Sequence, residues 1–133
     1  MRVKKENPEV GVLKIPMGAD WISSNAREHW RPKAQKSKAW RQTAMLVGQS
    51  SGLVFTVPVD VVVQVHKRFA SNRWDPHNLW PTAKPVIDGL VDAGVLVDDD
   101  TKHIRSSSIR AGEADRLRPG LTITIRPAGE DQP

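Results

Sequence analysis

The chain has 133 residues, of which 38% are hydrophobic and 26% charged, and its mean hydropathy is −0.46, a composition typical of one water-soluble domain. This length excludes a two-domain enzyme with a separate nucleotide-binding half, and no apolar stretch is long enough to cross a membrane. The absence of cysteine excludes disulfide scaffolds, cysteine-ligated zinc and cysteine nucleophiles, and with no apolar secretory segment it predicts a cytoplasmic protein.

The charges are unevenly distributed along the chain. Residues 1–74 carry 13 basic and 5 acidic side chains, residues 75–100 carry 1 and 6, and residues 101–133 carry 6 and 4. A basic surface favours binding of polyanions, whereas clustered carboxylates repel phosphate unless a divalent cation lies between them. The pattern is therefore typical of a metal-dependent nuclease, and the alternative is a solvated surface with unevenly placed charges.

The first half of the chain predicts one strand and one helix. We expect a flexible tail over residues 1–9, a short strand over 10–15, and a structured loop over 20–32 that contains turn formers. An amphipathic helix is predicted from Lys33 or Ser37 to Gly48, because small and apolar residues recur there at helical spacing.

The second half predicts three strands and one helix. Valines alternate with polar residues from Val59, which predicts a long half-buried strand over 59–69. An apolar stripe predicts a helix over 82–93 that Gly94 closes. Strands over 103–110 and 121–125 follow, and residues 127–133 are expected to be a flexible tail.

The predicted order is β-α-β-α-β-β. It favours an α+β fold, a single domain spanning residues 1–133, in which two helices pack on one side of a small mixed or antiparallel sheet. No internal repeat interrupts this order.

A group of carboxylates accompanies the second predicted helix. Asp75 follows the long strand, Lys84 and Asp88 lie four residues apart on one helical face, and residues 98–100 are three consecutive aspartates after that helix. Two carboxylates about 4 Å apart would repel by roughly 4 kcal/mol at an effective dielectric constant near 20. Bound Mg²⁺ or Mn²⁺ would convert this repulsion into attraction, because hard cations take oxygen ligands from carboxylates and phosphates together.

The same stretch resembles the RusA family of Holliday junction resolvases. The residues that carry the resemblance are Arg73, Asp75, Asn78, Lys84, Asp88, Leu90, Gly94, Asp98 and Asp99. An earlier segment with Trp21, Ser24, Asn25 and Arg27 is similar to the family's N-terminal Ser-Asn segment, which touches DNA. The resemblance implies a homodimeric, Mg²⁺-dependent endonuclease that acts on branched DNA such as a four-way junction, with no organic cofactor and no membrane partner.

The resemblance also implies roles for several of the matching residues. Asp75, Asp88 and Asp99 would hold one or two divalent ions, and Asp75, Lys84 and Asp99 would carry catalysis, with Lys84 neutralising charge on the phosphate. The residues Ser24, Asn25, Arg27 and Arg73 would position the DNA backbone.

Two features depart from the family pattern. His77 stands where an aspartate is expected, and Trp80 to Thr82 form a short insertion before Lys84. His77 could coordinate Mn²⁺ through nitrogen, orient a water molecule, or do neither, and Asp98 or Asp100 could supply the missing carboxylate.

Each assignment has a structural alternative. Asp75 could be a turn former before Pro76, Asp88 could pair with Lys84 in a salt bridge, and aspartates at 98 and 100 could stabilise a turn. Among the five tryptophans, Trp40 is predicted to be a core residue. For the whole protein, the alternatives to the nuclease are a catalytically inactive module that binds branched DNA and a metal-dependent RNase.

Overall fold

The computed structural model describes residues 4–25, 30–70 and 73–129. Its elements, in chain order, are β1 (Lys5–Glu6), β2 (Gly11–Pro16), α1 (Trp30–Ser51), β3 (Leu53–Val54), β4 (Val59–His66), a 3-10 turn (Pro76–Leu79), α2 (Trp80–Asp92), β5 (Ile104–Ala111) and β6 (Gly120–Pro127). The predicted α+β class is confirmed. Two strands of two residues each, β1 and β3, are added to the predicted order.

The main sheet has four strands in the order β2-β6-β4-β5. The central strands β6 and β4 run antiparallel, β2 runs antiparallel to β6, and β5 runs parallel to β4. The sheet is therefore mixed. The short strands β1 and β3 pair parallel to each other in a separate two-stranded sheet.

One face of the main sheet is covered and the other is open. Along β4 every second residue, from Val59 to Val65, is buried, and the residues between them are half-buried. Both helices pack on the buried face, where Trp40 of α1 and Leu90 of α2 are fully buried in the same core. The prediction that Trp40 is a core residue is confirmed. The predicted extension of β4 to residue 69 is wrong, because β6 begins opposite His66 and gives no partner beyond it.

The two helices approach each other closely at glycines. A side chain on Gly48 of α1 would meet Ala93 at 2.8 Å, and one on Gly89 of α2 would meet the Arg41 carbonyl oxygen at 2.2 Å. Gly48 is thus a packing position inside α1 rather than its end, and the helix continues to Ser51, before Gly52 with φ +72°.

Both helices begin earlier than predicted. The helix α1 starts at Trp30, and α2 starts at Trp80. Pro32 and Pro81 lie in the respective first turns, where the missing proline N–H breaks no intrahelical hydrogen bond. The three residues of the insertion therefore form the first turn of α2. Gly94 follows this helix with φ +81°, as predicted for its closing residue.

The predicted N-terminal tail is partly ordered. The Lys5 amide donates to the Gly52 carbonyl at 2.8 Å, and the Asn7 side chain donates to the Thr56 hydroxyl at 2.7 Å. The expectation of a flexible tail is corrected for residues 5–7, because these hydrogen bonds join them to the segment after α1. At the other end, Pro127 completes β6, so that it belongs to the sheet.

We find no helix with the length and apolar character needed to span a membrane in the described ranges.

Candidate functional site

Asp75 begins the 3-10 turn that precedes α2. Its Oδ1 accepts hydrogen bonds from the backbone N–H of His77 at 2.9 Å and from the His77 ring Nδ1 at 3.1 Å. The backbone hydrogen bond, followed by the ring contact, lowers the pKa of Asp75 below its ordinary value. Both side chains are well exposed, 59% for Asp75 and 77% for His77. The turn-forming role considered for Asp75 is thus present, and its second oxygen atom is not used by these contacts.

Lys84 joins two carboxylates from different segments. Its Nζ donates to Asp88 Oδ1 at 2.8 Å, one helical turn along α2, and to Asp99 Oδ2 from the loop that follows Gly94. We call Lys84, Asp88 and Asp99 the Lys84 cluster. The salt bridge predicted as the alternative role of Asp88 is present, and Asp99 shares the same ammonium group.

The electrostatics of the Lys84 cluster favour the ionised forms of Lys84 and Asp99. Burial alone would lower the pKa of Lys84, but the hydrogen bonds and charges of Asp88 and Asp99 outweigh it and raise the pKa above its ordinary value. The hydrogen bond and charge of Lys84 in turn lower the pKa of Asp99. Lys84 and Asp99 therefore stabilise each other as a cation and a carboxylate.

The neighbouring aspartates stabilise the loop itself. Asp98 Oδ1 accepts from the Asp99 backbone N–H at 2.7 Å. Asp100 Oδ1 accepts from the backbone of Lys102 and His103 at 3.1 Å each and contacts the His103 ring at 2.6 Å. The His103 hydrogen bond lowers the pKa of Asp100. Asp100 is thus a turn former in this structure, and Asp98 orients the backbone of Asp99.

The Ser-Asn segment lies against the start of the carboxylate motif. The Ser24 backbone N–H donates to the Asn78 carbonyl at 2.8 Å, and the Ser24 hydroxyl lies 3.3 Å from Asn78 Oδ1. Asn25 is exposed beside it, and its backbone N–H donates to the Ser23 hydroxyl at 3.2 Å. The segment predicted to contact DNA therefore lies next to the start of the predicted catalytic motif.

The two arginines predicted to contact DNA, Arg73 and Arg27, take no part in the contacts described above. Arg73 is exposed just before Asp75. Arg27 lies outside the described residues.

Thr82 fixes the Ser-Asn segment, a role not predicted from the sequence. This fully buried threonine accepts a hydrogen bond from the Ile22 backbone N–H and donates one to the Ile22 carbonyl, both at 2.8 Å. The sequence does contain a signal for this role, since Thr82 is a polar residue at the start of the apolar stripe of α2. A polar side chain buried there needs a hydrogen-bond partner.

Arg41 and Asp92 form a salt bridge that was also not predicted from the sequence. Two guanidinium nitrogens of Arg41 on α1 donate to the Asp92 carboxylate on α2, at 2.7 and 2.9 Å. The hydrogen bond from Arg41 lowers the pKa of Asp92. No spacing in the sequence could reveal this pair, because the residues are 51 positions apart and meet only when the helices pack.

The predicted metal ligands do not form one cluster. Among residues 4–25, 30–70 and 73–129, no three or more histidine, cysteine, aspartate or glutamate side chains form a group that could hold a metal ion. Asp88 and Asp99 converge on one point, while Asp75 and His77 contact each other. The carboxylate oxygens of Asp88 and Asp99 are hard donors that fit Mg²⁺ chemically, and the Lys84 ammonium lies between them.

One cavity lies beside the candidate site and another lies on the opposite side of the main sheet. One, of about 420 Å³, lies between α1 and α2 and includes Lys84 and Asp88 in its lining. The other, of about 900 Å³, lies at the open face of the main sheet, beside His66, and none of the predicted site residues lines it. The smaller cavity is therefore the one connected to the candidate chemistry.

Neither the scan against protein-family models nor the search of curated proteins gives a match to this chain.

Proposed function

We propose that this protein is a Mg²⁺-dependent endodeoxyribonuclease that hydrolyses phosphodiester bonds in branched DNA, with the four-way junction as its substrate. The observation that carries the proposal is the convergence of Asp88 and Asp99 on Lys84, inside a chain of net charge +5. A basic protein attracts nucleic acid. A divalent cation bound to the two carboxylates would convert their repulsion of phosphate into attraction.

Asp88 and Asp99 are the residues that would hold the Mg²⁺ ion, with Asp75 and His77 as the further predicted ligands. When bound, the ion would supply positive charge to the phosphate under attack and to the oxygen that leaves. The Lys84 ammonium would stabilise the negative charge that develops on the phosphate oxygens. Ser24, Asn25 and the exposed Arg73 would hold the DNA backbone next to this group.

A homodimer is part of the proposal. A four-way junction has two equivalent strands to cut, so a two-fold symmetric pair of chains would present one Lys84 cluster to each strand. This architecture is the one that the resemblance to the RusA resolvases implies.

A module that binds branched DNA without cutting it is the second candidate. The contact between His77 and Asp75 supports it, because a histidine occupies the place of an expected carboxylate and also engages an oxygen of the first predicted ligand. Binding would then need only the basic surface and the Ser-Asn segment.

Cleavage assays on matched substrates test the proposal. A synthetic four-way DNA junction, a linear duplex of the same arm sequence and a corresponding RNA would be incubated with the protein in Mg²⁺ and in a chelator. We expect multiple turnovers on the junction in Mg²⁺ only. Junction binding without cuts would support the second candidate instead, and preferential cutting of the RNA would support a metal-dependent RNase.

A further inference from the structure

The first half of α1 concentrates positive charge. The helix of 22 residues contains no acidic residue, and its basic residues all fall within its first twelve: Arg31, Lys33, Lys36, Lys38 and Arg41. Arg31 and Lys33 lie in the first turn, where cations oppose the helix dipole and do not stabilise the helix. A concentration of positive charge of this kind favours an external anion.

A groove connects this helix to the Lys84 cluster. The cavity of about 420 Å³ is lined by Ser37, Lys38 and Arg41 from α1 and by Pro81, Lys84, Pro85 and Asp88 from α2. Three cationic side chains thus face one carboxylate in its lining. Lys84 and Asp88 belong to both the groove and the cluster.

Lys38 is the cation of this groove that has no counterion among the described residues. Lys84 is paired with Asp88 and Asp99, and Arg41 is paired with Asp92. Lys38 is exposed and forms no ion pair within the ranges that the structure describes. A bound anion would therefore meet its positive charge first at Lys38.

We infer that the groove between α1 and α2 binds a backbone phosphate of the DNA, with Lys38 as the residue that contacts it. The inference rests on the proposed function. Because the groove shares Lys84 and Asp88 with the cluster, the bound phosphate lies on the strand to be cut and positions it. Lys38 is accordingly a binding residue for a phosphate next to the reacting one.

The extent of the basic segment favours a polyanion over a single small anion. Arg31, Lys38 and Arg41 lie within about 80° of one another around α1 and span about 15 Å of its axis, at about 100° and 1.5 Å per residue. Lys33 lies about 140° around the helix from Lys38, on a different side. One strand of duplex DNA presents a phosphate about every 3.4 Å along its axis, so several phosphates lie within reach of this length. A lone phosphate or carboxylate would engage only the groove.

Substitutions of two lysines on the same helix test the inference. Lys38→Ala removes the groove cation, Lys38→Arg keeps its charge, and Lys33→Ala removes an equal charge from an exposed position that does not line the groove. Binding of a synthetic four-way DNA junction would be measured by fluorescence anisotropy across salt concentrations, with a chelator present so that no strand is cut.

We expect Lys38→Ala to reduce the slope of log K against log salt by about 0.9, which corresponds to about eightfold weaker binding at 0.1 M salt. Lys38→Arg should restore most of the affinity, and Lys33→Ala should change it by about twofold or less. Equal effects of the two alanine variants, or no effect of either, would overturn the inference and leave the proposed function standing. If the wild-type chain binds no DNA, both are rejected.

Discussion

Lys84 is the residue through which the candidate site is held together. Its pairing with Asp88 follows from their spacing of four residues on α2, while its pairing with Asp99 depends on the path of the loop after Gly94. A cation shared by two carboxylates reduces their mutual repulsion, which would otherwise oppose bringing them together. Lys84 therefore stabilises the position of the loop and, in the proposed reaction, would also stabilise negative charge on the phosphate.

Substitution of His77 should change the metal preference of cleavage. If its ring is a ligand, replacement with aspartate exchanges a nitrogen donor for an oxygen donor, and cleavage should shift from Mn²⁺ toward Mg²⁺. Junction cleavage rates would be measured in each metal for the wild type, His77→Asp and His77→Ala.

The alanine variant decides the role of this histidine. Equal rates for His77→Ala and the wild type in both metals would show that His77 is not a ligand. Asp98 would then be the better candidate for the missing carboxylate, since Asp100 already accepts three hydrogen bonds within its loop.

Two contacts between elements hold parts of the fold together, one beside the candidate site and one within the main sheet. The buried Thr82 ties the segment before α1 to the first turn of α2. On the other face, the Asp60 carboxylate of β4 receives hydrogen bonds from Arg105 and Ser106 of β5. The first contact positions the Ser-Asn segment, and the second joins the two parallel strands of the sheet.

Removing the Thr82 hydroxyl should destabilise the protein and weaken DNA binding together. In Thr82→Val the N–H and carbonyl of Ile22 lose their partner, which costs about 1 to 3 kcal/mol of unfolding free energy. Urea denaturation would measure this loss, and a gel shift on a four-way junction would measure binding. Thr82→Ser keeps the hydroxyl and should retain the position of the segment, so similar binding defects in both variants would contradict the role of the hydrogen bonds.

The Asp60 contact predicts a stability change with pH. The Arg105 hydrogen bond, followed by that of Ser106, lowers the pKa of Asp60 below 3.8 in the folded state. The stabilisation is therefore present above about pH 3.8 and is lost as the pH falls through the lower folded-state pKa. At neutral pH, Asp60→Asn should cost about 1 kcal/mol of unfolding free energy, and the gap to the wild type should close in acid. A gap that stays constant from pH 7 to below pH 3.8 would count against this ion pair.

The sequence pattern reveals elements whose residues repeat with a regular period, and it misses those that depend on distant contacts. Alternation along β4 and the apolar stripe of α2 predict the type and the central part of both elements, though not all of their ends, because burial of one face imposes the period. The two-residue strand β1 has no such period and forms only because β3 lies beside it. Likewise, the motif predicts that Lys84 and Asp88 meet, whereas the attachment of Ile22 to Thr82 depends on tertiary packing.

Across the whole molecule, opposite charges are segregated along the chain. Of the 20 lysines and arginines, 13 precede Asp75, while 6 of the 15 acidic residues lie between positions 75 and 100. A surface of this kind binds DNA mainly by releasing counterions from phosphates, which makes the affinity depend on salt.

The salt dependence of binding should therefore be steep. If about six phosphates are neutralised, the slope of log K against log salt is near −5 on duplex arms. Fluorescence anisotropy with a labelled junction at several salt concentrations gives this slope. A slope close to zero would remove the case for DNA as the partner.

The most direct test of the proposed nuclease activity is the behaviour of Asp99→Asn on a four-way junction, with gel shift and Mg²⁺-dependent cleavage measured on the same preparation. We expect the wild type to bind and cut, and the variant to bind as well or better without cutting, because the substitution removes a predicted metal ligand and a negative charge near the DNA. Asp60→Asn, which removes a carboxylate outside the Lys84 cluster, should still cut. Cleavage by Asp99→Asn at the wild-type rate would contradict the account, as would a wild type that binds the junction and leaves it uncut in Mg²⁺.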